Sequence, residues 1–233
     1  MEQDLYRAVN HYRQAYSRID GSPVMVDDVT FDPAIFSERP RPVRSGDEFV
    51  LCYPGTLAWH QGLDVAIEAM ALLRERAPNL RLVLIGDGPE RENLRELVKA
   101  RNLEDRVSLA GLVPLEKVAE TMAGIDVGVV PKRADSFGNE AFSTKIMEFM
   151  AMGVPVIASR TRIDEFYFND ELVQFFASGN VEDLAAKILD LMQNDARRAE
   201  LRENALGFIE ANHWDVRKDE YLGLVDRLAE MGR

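Results

Sequence analysis

The chain has 233 residues, 46% of them hydrophobic and 29% charged, which suits a soluble globular protein with one large domain or one domain with appendages. Its 28 basic residues against 40 acidic ones leave a formal charge of −12, which repels nucleic acid and anionic lipid at long range yet permits a locally bound phosphate. One cysteine, Cys52, excludes a disulfide or thiol metal clip, no apolar stretch approaches the ~20 residues of a membrane span, and the acidic start is no signal peptide, so a cytoplasmic location is expected.

Residues 1–46 form a first segment. Leu5, Val9, Tyr12, Tyr16 and Ile19 mark one face of an amphipathic helix, residues 23–26 suit a strand, and residues 33–47 read as a linker kept extended by Pro40 and Pro42. The Tyr-rich face needs cover from this domain, a partner or a second copy, so a homodimer through this helix is one expectation.

From residue 47 to 233, short apolar runs alternate with helical periods, the pattern of parallel β-α-β units. Strands are expected at 50–53, 80–85, 107–109, 126–130, 154–158 and 173–176. Helices are expected at 63–76, 90–101, 115–122, from Ser143 or Thr144 to Met152, and then at 181–193, 196–212 and 215–231. The fold class is α/β, a doubly wound, Rossmann-like parallel sheet of about six strands.

Ligands of such sheets bind beyond the C-terminal strand ends, where loops enter helices. Gly55, Thr56 and His60 follow the first strand, Gly86 and Gly88 the second, and Gly111 and Val113 the third. Residues 132–143 follow the fourth and deliver Glu140. Each glycine suits either a tight turn or a ligand's close approach.

The most informative run is Asn139-Glu140-Ala141-Phe142-Ser143-Thr144-Lys145-Ile146-Met147-Glu148, closed by Gly153 and Pro155. Glu148 falls among Ile146, Met147, Phe149, Met150 and Met152, an apolar setting that is costly for a carboxylate without a partner. It bonds a neighbouring backbone group, pairs with Lys145 three residues earlier, or serves a ligand. The free amides at the helix start suit a phosphate, Glu148 one turn deeper suits a vicinal diol such as a ribose, and Glu140 sits where a group beyond the phosphates would project. Diol, diphosphate and sugar together are the layout of a nucleotide sugar.

At these residues the chain resembles the donor-nucleotide-binding, C-terminal half of family 4 (group 1) retaining glycosyltransferases, which have the GT-B fold. Their two glutamates separated by seven residues match Glu140 and Glu148, and the following turn matches Met150, Ala151, Gly153, Pro155 and Val156. Gly86-Asp87-Gly88-Pro89 matches the turn after the second strand, Gly55 and Gly62 the first loop, Asp32 and Phe36 the inter-domain crossing, and Trp214 and Tyr221 the C-terminal helix. The resemblance covers roughly residues 23–230.

The resemblance implies that Glu148 binds the nucleotide ribose and that Glu140 contacts and positions the donor sugar. It implies that the amides of Phe142, Ser143 and Thr144 hold the diphosphate, and that Gly111 to Val113 flank the base. It further implies a UDP- or GDP-sugar donor, no metal, and a front-face route in which the leaving phosphate takes the acceptor's proton. The family's arginine and lysine of the first loop are Thr56 and Gln61 here, so two phosphate-directed cations are missing. Lys145 is the first candidate to replace them, as a catalytic cation, with His60, Lys132 and Arg133 behind it. Ser143 stands where the family has glycine.

A whole GT-B enzyme also has an acceptor domain, which residues 1–46 are too few to supply, so a missing acceptor domain or partner chain is expected. The alternatives are a non-catalytic nucleotide-sugar-binding or scaffolding subunit, and a GT-B epimerase or phosphorylase.

Overall fold

A computed structural model describes residues 35–40 and 46–213, together with 216, 219, 222, 223 and 225–227. The N-terminal helix and strand expected before residue 35, the proposed dimer contact, and Asp32, Trp214 and Tyr221 lie outside the described residues. Residues 35–40 and 46–211 belong to one compact unit, and the residues from 212 onward group apart from it.

Within that unit six strands form one parallel sheet: β1 (Phe49–Pro54), β2 (Leu80–Ile85), β3 (Val107–Gly111), β4 (Val127–Val130), β5 (Val156–Arg160) and β6 (Gln174–Ala177). Their order is β3-β2-β1-β4-β5-β6. The chain therefore winds one way from β1 to β3, then crosses back to lay β4 beside β1. Leu51 pairs with Val127 and Cys52 with Gly128 at that crossing. The sheet is the Rossmann-like α/β fold that the alternation implied, and the crevice of such a sheet opens where the winding reverses.

The central strands are covered on both faces, which is why they read as unbroken apolar runs. Leu51, Tyr53, Leu82, Leu84, Val127 and Val129 join one core with Ile67, Met70, Leu184 and Ile188 from the flanking helices. Those helices are α1 (Leu63–Leu72), α2 (Arg91–Ala100), α3 (Leu115–Ala123), α4 (Thr144–Ala151), α5 (Arg162–Tyr167), α6 (Val181–Gln193) and α7 (Asp195–Ala211). Cys52 is fully buried, and burial alone pushes its thiol up to about 12. It is a packing residue.

Several expected boundaries move for local reasons. The helix expected over 63–76 ends at Leu72, and the chain turns before Pro78, which disfavours helix in the residue ahead of it. The strand expected at 154 starts at Val156, because residues 153–155 close α4 instead. Gly153 adopts φ 65°, its amide bonds Met150 O, and the Val154 amide bonds Phe149 O, each at 2.9 Å. These two bonds satisfy carbonyls that the helix end leaves open. β3 runs two residues beyond its expected end, to Gly111. Helix α5 was not expected. Its signal was Thr161 followed three residues later by Asp164, and the Thr161 hydroxyl does cap the Asp164 amide.

Candidate active site at the winding reversal

The loops after β1 and β2 are held together backbone to backbone. The Gly55 amide bonds Ile85 O at 2.8 Å, the Leu57 amide bonds Asp87 O at 2.9 Å, and the Gly86 amide bonds Gly111 O at 2.8 Å. Gly55 and Gly86 have φ of 144° and 130°, which side-chain-bearing residues rarely adopt. A Cβ at Gly86 would collide with Gly55 O, and one at Gly88 with Leu57 O. The room at both glycines is thus taken by the neighbouring loop. Gly111 carries φ 76° with the Arg91 guanidinium beside it, and Val113 is half-buried.

Gly55 is different: a Cβ there would run into Lys145. The Lys145 Nζ lies 3.2 Å from that point and 5.4 Å from the centre of the Tyr53 ring. The ammonium therefore leans from α4 across the crevice onto the first loop. Thr56 is exposed, its carbonyl held by the Tyr53 hydroxyl at 3.1 Å.

Helix α4 packs closely on β4, because Gly128 leaves the space that the Phe149 ring fills. That packing aims the start of α4 at the β1/β4 crevice. Ser143 precedes the helix without a side-chain cap, and no acidic residue lies in the first turn. Among the described residues nothing accepts from the amides of Phe142, Ser143 and Thr144. The Phe142 ring turns the other way, edge-on to Tyr167 at 4.8 Å, leaving its backbone at the opening.

Glu148 is half-buried, and its carboxyl is raised above the ordinary range, chiefly by burial, with the Lys145 charge and a Thr144 hydrogen bond pulling it back. Lys145 is lowered, again chiefly by burial, while Glu148 and Asp164 raise it and Lys132 lowers it further. No salt bridge joins Lys145 to Glu148 among the described residues. Lys145 has no hydrogen-bond partner there either, and neither side chain is among the polar groups sealed from solvent.

The other candidate cations are engaged. Lys132 is 2% exposed, ion-paired to Asp164 at 2.8 Å and donating to Ala141 O at 2.6 Å. Arg133 pairs with Asp64 at 2.5 Å and lies over the Trp59 ring. Both cations thus already have a carboxylate partner in the fold, Lys132 in the core and Arg133 nearer the surface. His60 stacks edge-on against Phe137, with centroids 4.7 Å apart. Glu140 is exposed in the loop before α4 and ion-paired to Arg162, a partner that sequence reasoning missed because it sits on the unexpected α5.

The described residues contain no cluster of His, Cys, Asp or Glu suited to a metal ion. A cavity of about 660 Å³ does exist, but beside Ile125, Asp126, Val154 and Pro155, where β4 and β5 begin. That is the wrong end of the sheet for the crevice. Its arginines are also occupied, Arg202 by Glu38, Arg198 by Asp195 and Arg39 by Ile35 O.

Comparison with known proteins agrees with this fold. The chain is 37% identical over 158 residues to D-inositol 3-phosphate glycosyltransferase of Pseudarthrobacter chlorophenolicus, an alignment covering 65% of this chain and 36% of that protein. It is 33% identical over 122 residues to the putative colanic acid biosynthesis glycosyltransferase WcaL of Escherichia coli, covering 52% of this chain and 30% of the relative. The chain thus spans about a third of the length of the curated relatives it matches.

Among solved structures, sucrose-phosphate synthase from Thermosynechococcus elongatus superimposes with a TM-score of 0.76 at 24% identity, covering 95% of this chain and 57% of that one. Anabaena Alr3699/HepE in complex with UDP-glucose gives 0.70 at 20% identity, covering 86% and 56%. The C-terminal domain of a group 1 glycosyl transferase, LpcC of Francisella tularensis, gives 0.63 at 18% identity, covering 78% of this chain and 97% of that domain. No helix among the described residues is long and apolar enough to cross a membrane. The family model for glycosyl transferases group 1 matches residues 35–207, and the chain belongs to that family.

Proposed function

We propose that this chain is the donor-binding half of a retaining glycosyltransferase, transferring a sugar from a nucleoside diphosphate sugar to an acceptor hydroxyl when an acceptor domain is present. One observation carries the reading: a half-buried lysine and a half-buried glutamate, joined by no salt bridge, flank an uncapped helix start at the β1/β4 reversal. A nucleoside diphosphate satisfies all three at once. Its diphosphate meets the amides of Phe142, Ser143 and Thr144 and the Lys145 ammonium, and its ribose diol meets Glu148.

Lys145 then supplies the positive charge that Thr56 and Gln61 lack, and it does so from the opposite wall of the same crevice. A leaving diphosphate gains charge in the transition state, so an aimed ammonium and helix amides stabilise it more than the ground state. Glu140 positions the sugar, with His60 and Thr56 on the first loop and Gly111 and Val113 beside the base. Gly86 and Gly88 hold the first loop in place. UDP- and GDP-sugars are the donor class. UDP-glucose is bound by the Anabaena neighbour.

Calorimetry of the full chain against UDP, GDP and ADP tests this, with Lys145→Ala alongside. Saturable binding by the wild type, weakened at least tenfold in the variant, is expected. Equal affinities would remove Lys145 from the site, and no binding of any nucleotide would sink the reading. Thr56 and Gln61 favour a second reading, a subunit that binds nucleotide sugar without transfer. The two separate when an acceptor domain is supplied, because only the first then yields product.

A further inference from the structure

The Lys132–Asp164 ion pair is a second charged feature beside the crevice. Lys132 directly follows Pro131 at the end of β4, and Asp164 lies in the first turn of α5. Their side chains are 3% and 1% exposed. The Lys132 ammonium also donates to Ala141 O at 2.6 Å, between Glu140 and Phe142. The Lys132 carbonyl accepts from the hydroxyls of Ser159 and, at 3.1 Å, Ser178, at the ends of β5 and β6. Asp164 Oδ2 accepts from the Thr161 hydroxyl at 2.7 Å, while its Oδ1 is buried without a partner.

Stability alone is a poor reason to keep this pair. Enclosing two charges costs desolvation that their attraction only roughly offsets, and well-packed apolar substitutes are often as stable. A buried oxygen without a partner adds to that cost. What the pair accomplishes is geometric: one ammonium ties the β4–α4 loop at Ala141 to the start of α5, and three strand ends share the Lys132 peptide.

We infer that Lys132 and Asp164 are positioning residues that hold the segment from Glu140 to Thr144 in the shape that receives the donor's diphosphate and sugar. Because Ala141 O is gripped, Glu140 on one side and the amides of Phe142 to Thr144 on the other are set relative to α4. The same two charges also act on Lys145, Asp164 favouring its ammonium and Lys132 opposing it. Glu140 is also ion-paired to Arg162, the first residue of α5, so the segment is held from two sides, by Lys132 after β4 and by Arg162 on α5.

This inference rests on the donor-site reading, and its test separates the two. Lys132→Met/Asp164→Leu is made in the full chain beside each single variant. The single variants melt well below wild type, each leaving one buried charge alone, whereas the double variant returns to within a few degrees. Its affinity for UDP or GDP nonetheless falls at least tenfold, and the hydrogen-bonded amides of Glu140, Ala141 and Ile146 exchange hydrogen faster while the sheet stays protected. Recovery of both stability and affinity, with unchanged exchange at those three amides, would overturn the inference. If the wild type binds no nucleotide, the donor-site reading fails and the exchange rates alone decide the positioning role. If the double variant does not fold, Asp164→Asn is assayed at a temperature where it stays folded: faster exchange at those amides with weaker UDP or GDP binding supports the inference, and wild-type exchange and affinity overturn it.

Discussion

Two lysines thirteen positions apart show how burial separates holding from waiting. Just after β4, Lys132 is enclosed with its ammonium directed at two oxygens of the fold, Ala141 O and a carboxylate partner 2.8 Å away. In the first turn of α4, Lys145 is also lowered by burial, yet it reaches over Gly55 and Tyr53 with no acceptor in hand. The first lysine is satisfied by the protein itself. The second is arranged for something that arrives. A sequence shows two lysines in one segment; only their surroundings assign them different work.

The largest effect that would break this contrast is at Asp164. Removing it by Asp164→Ala leaves Lys132 charged and alone, and should cost about 3–5 kcal/mol of folding stability, read by chemical denaturation. A loss below about 1 kcal/mol would mean that Lys132 is not held as described. Lys145→Ala should do the reverse. We expect unchanged or slightly raised stability, with nucleoside diphosphate affinity lowered by about 2–3 kcal/mol, the range for hydrogen bonds to charged groups.

Glu148 sharpens the comparison on the acidic side. Glu148→Gln should weaken UDP by about 1.5–2 kcal/mol in calorimetry while leaving inorganic diphosphate unchanged, since only the ribose is lost to it. Its pH dependence has a definite sign. A carboxyl raised in the folded state contributes stability below its ordinary range and loses it as pH rises through the raised value. The unliganded Gln variant should therefore melt above wild type at pH 7, with the gap closing near pH 4. A gap that widens on acidification would contradict the assigned burial.

The smallest effect is at the rim. Arg162 and Glu140 form an exposed pair, so Arg162→Ala should change stability by less than about 0.5 kcal/mol in thermal melts. A larger loss would move this pair into the same class as Lys132 and Asp164.

Much of the fold was legible because β1 and β4 are almost wholly buried, and such strands announce themselves as apolar runs between turn residues. The end of α4 was legible for a local reason: Gly153 and Pro155 leave the backbone little choice. Helix α5 was not, because six residues are too few to show a period and only the Thr161–Asp164 cap marks it. Glu148 and Lys145 were singled out from their positions on α4, but whether they pair with each other was open. Rotamer choice and the Gly55 opening decided that, and both depend on the first loop, whose Gly55 lies 90 residues before Lys145 in the chain.

By itself, then, the sequence determined the alternation, the parallel sheet, the helix that carries Glu148 and the family likeness, since these rest on periodicities and turns encoded within a few residues. The tertiary structure alone decided which cation faces the crevice, which is locked in the core, and which glycines are filled by neighbouring backbone. Those outcomes depend on strands distant in sequence coming side by side, and burial acquires its sign for a charge only when the groups across the gap are known.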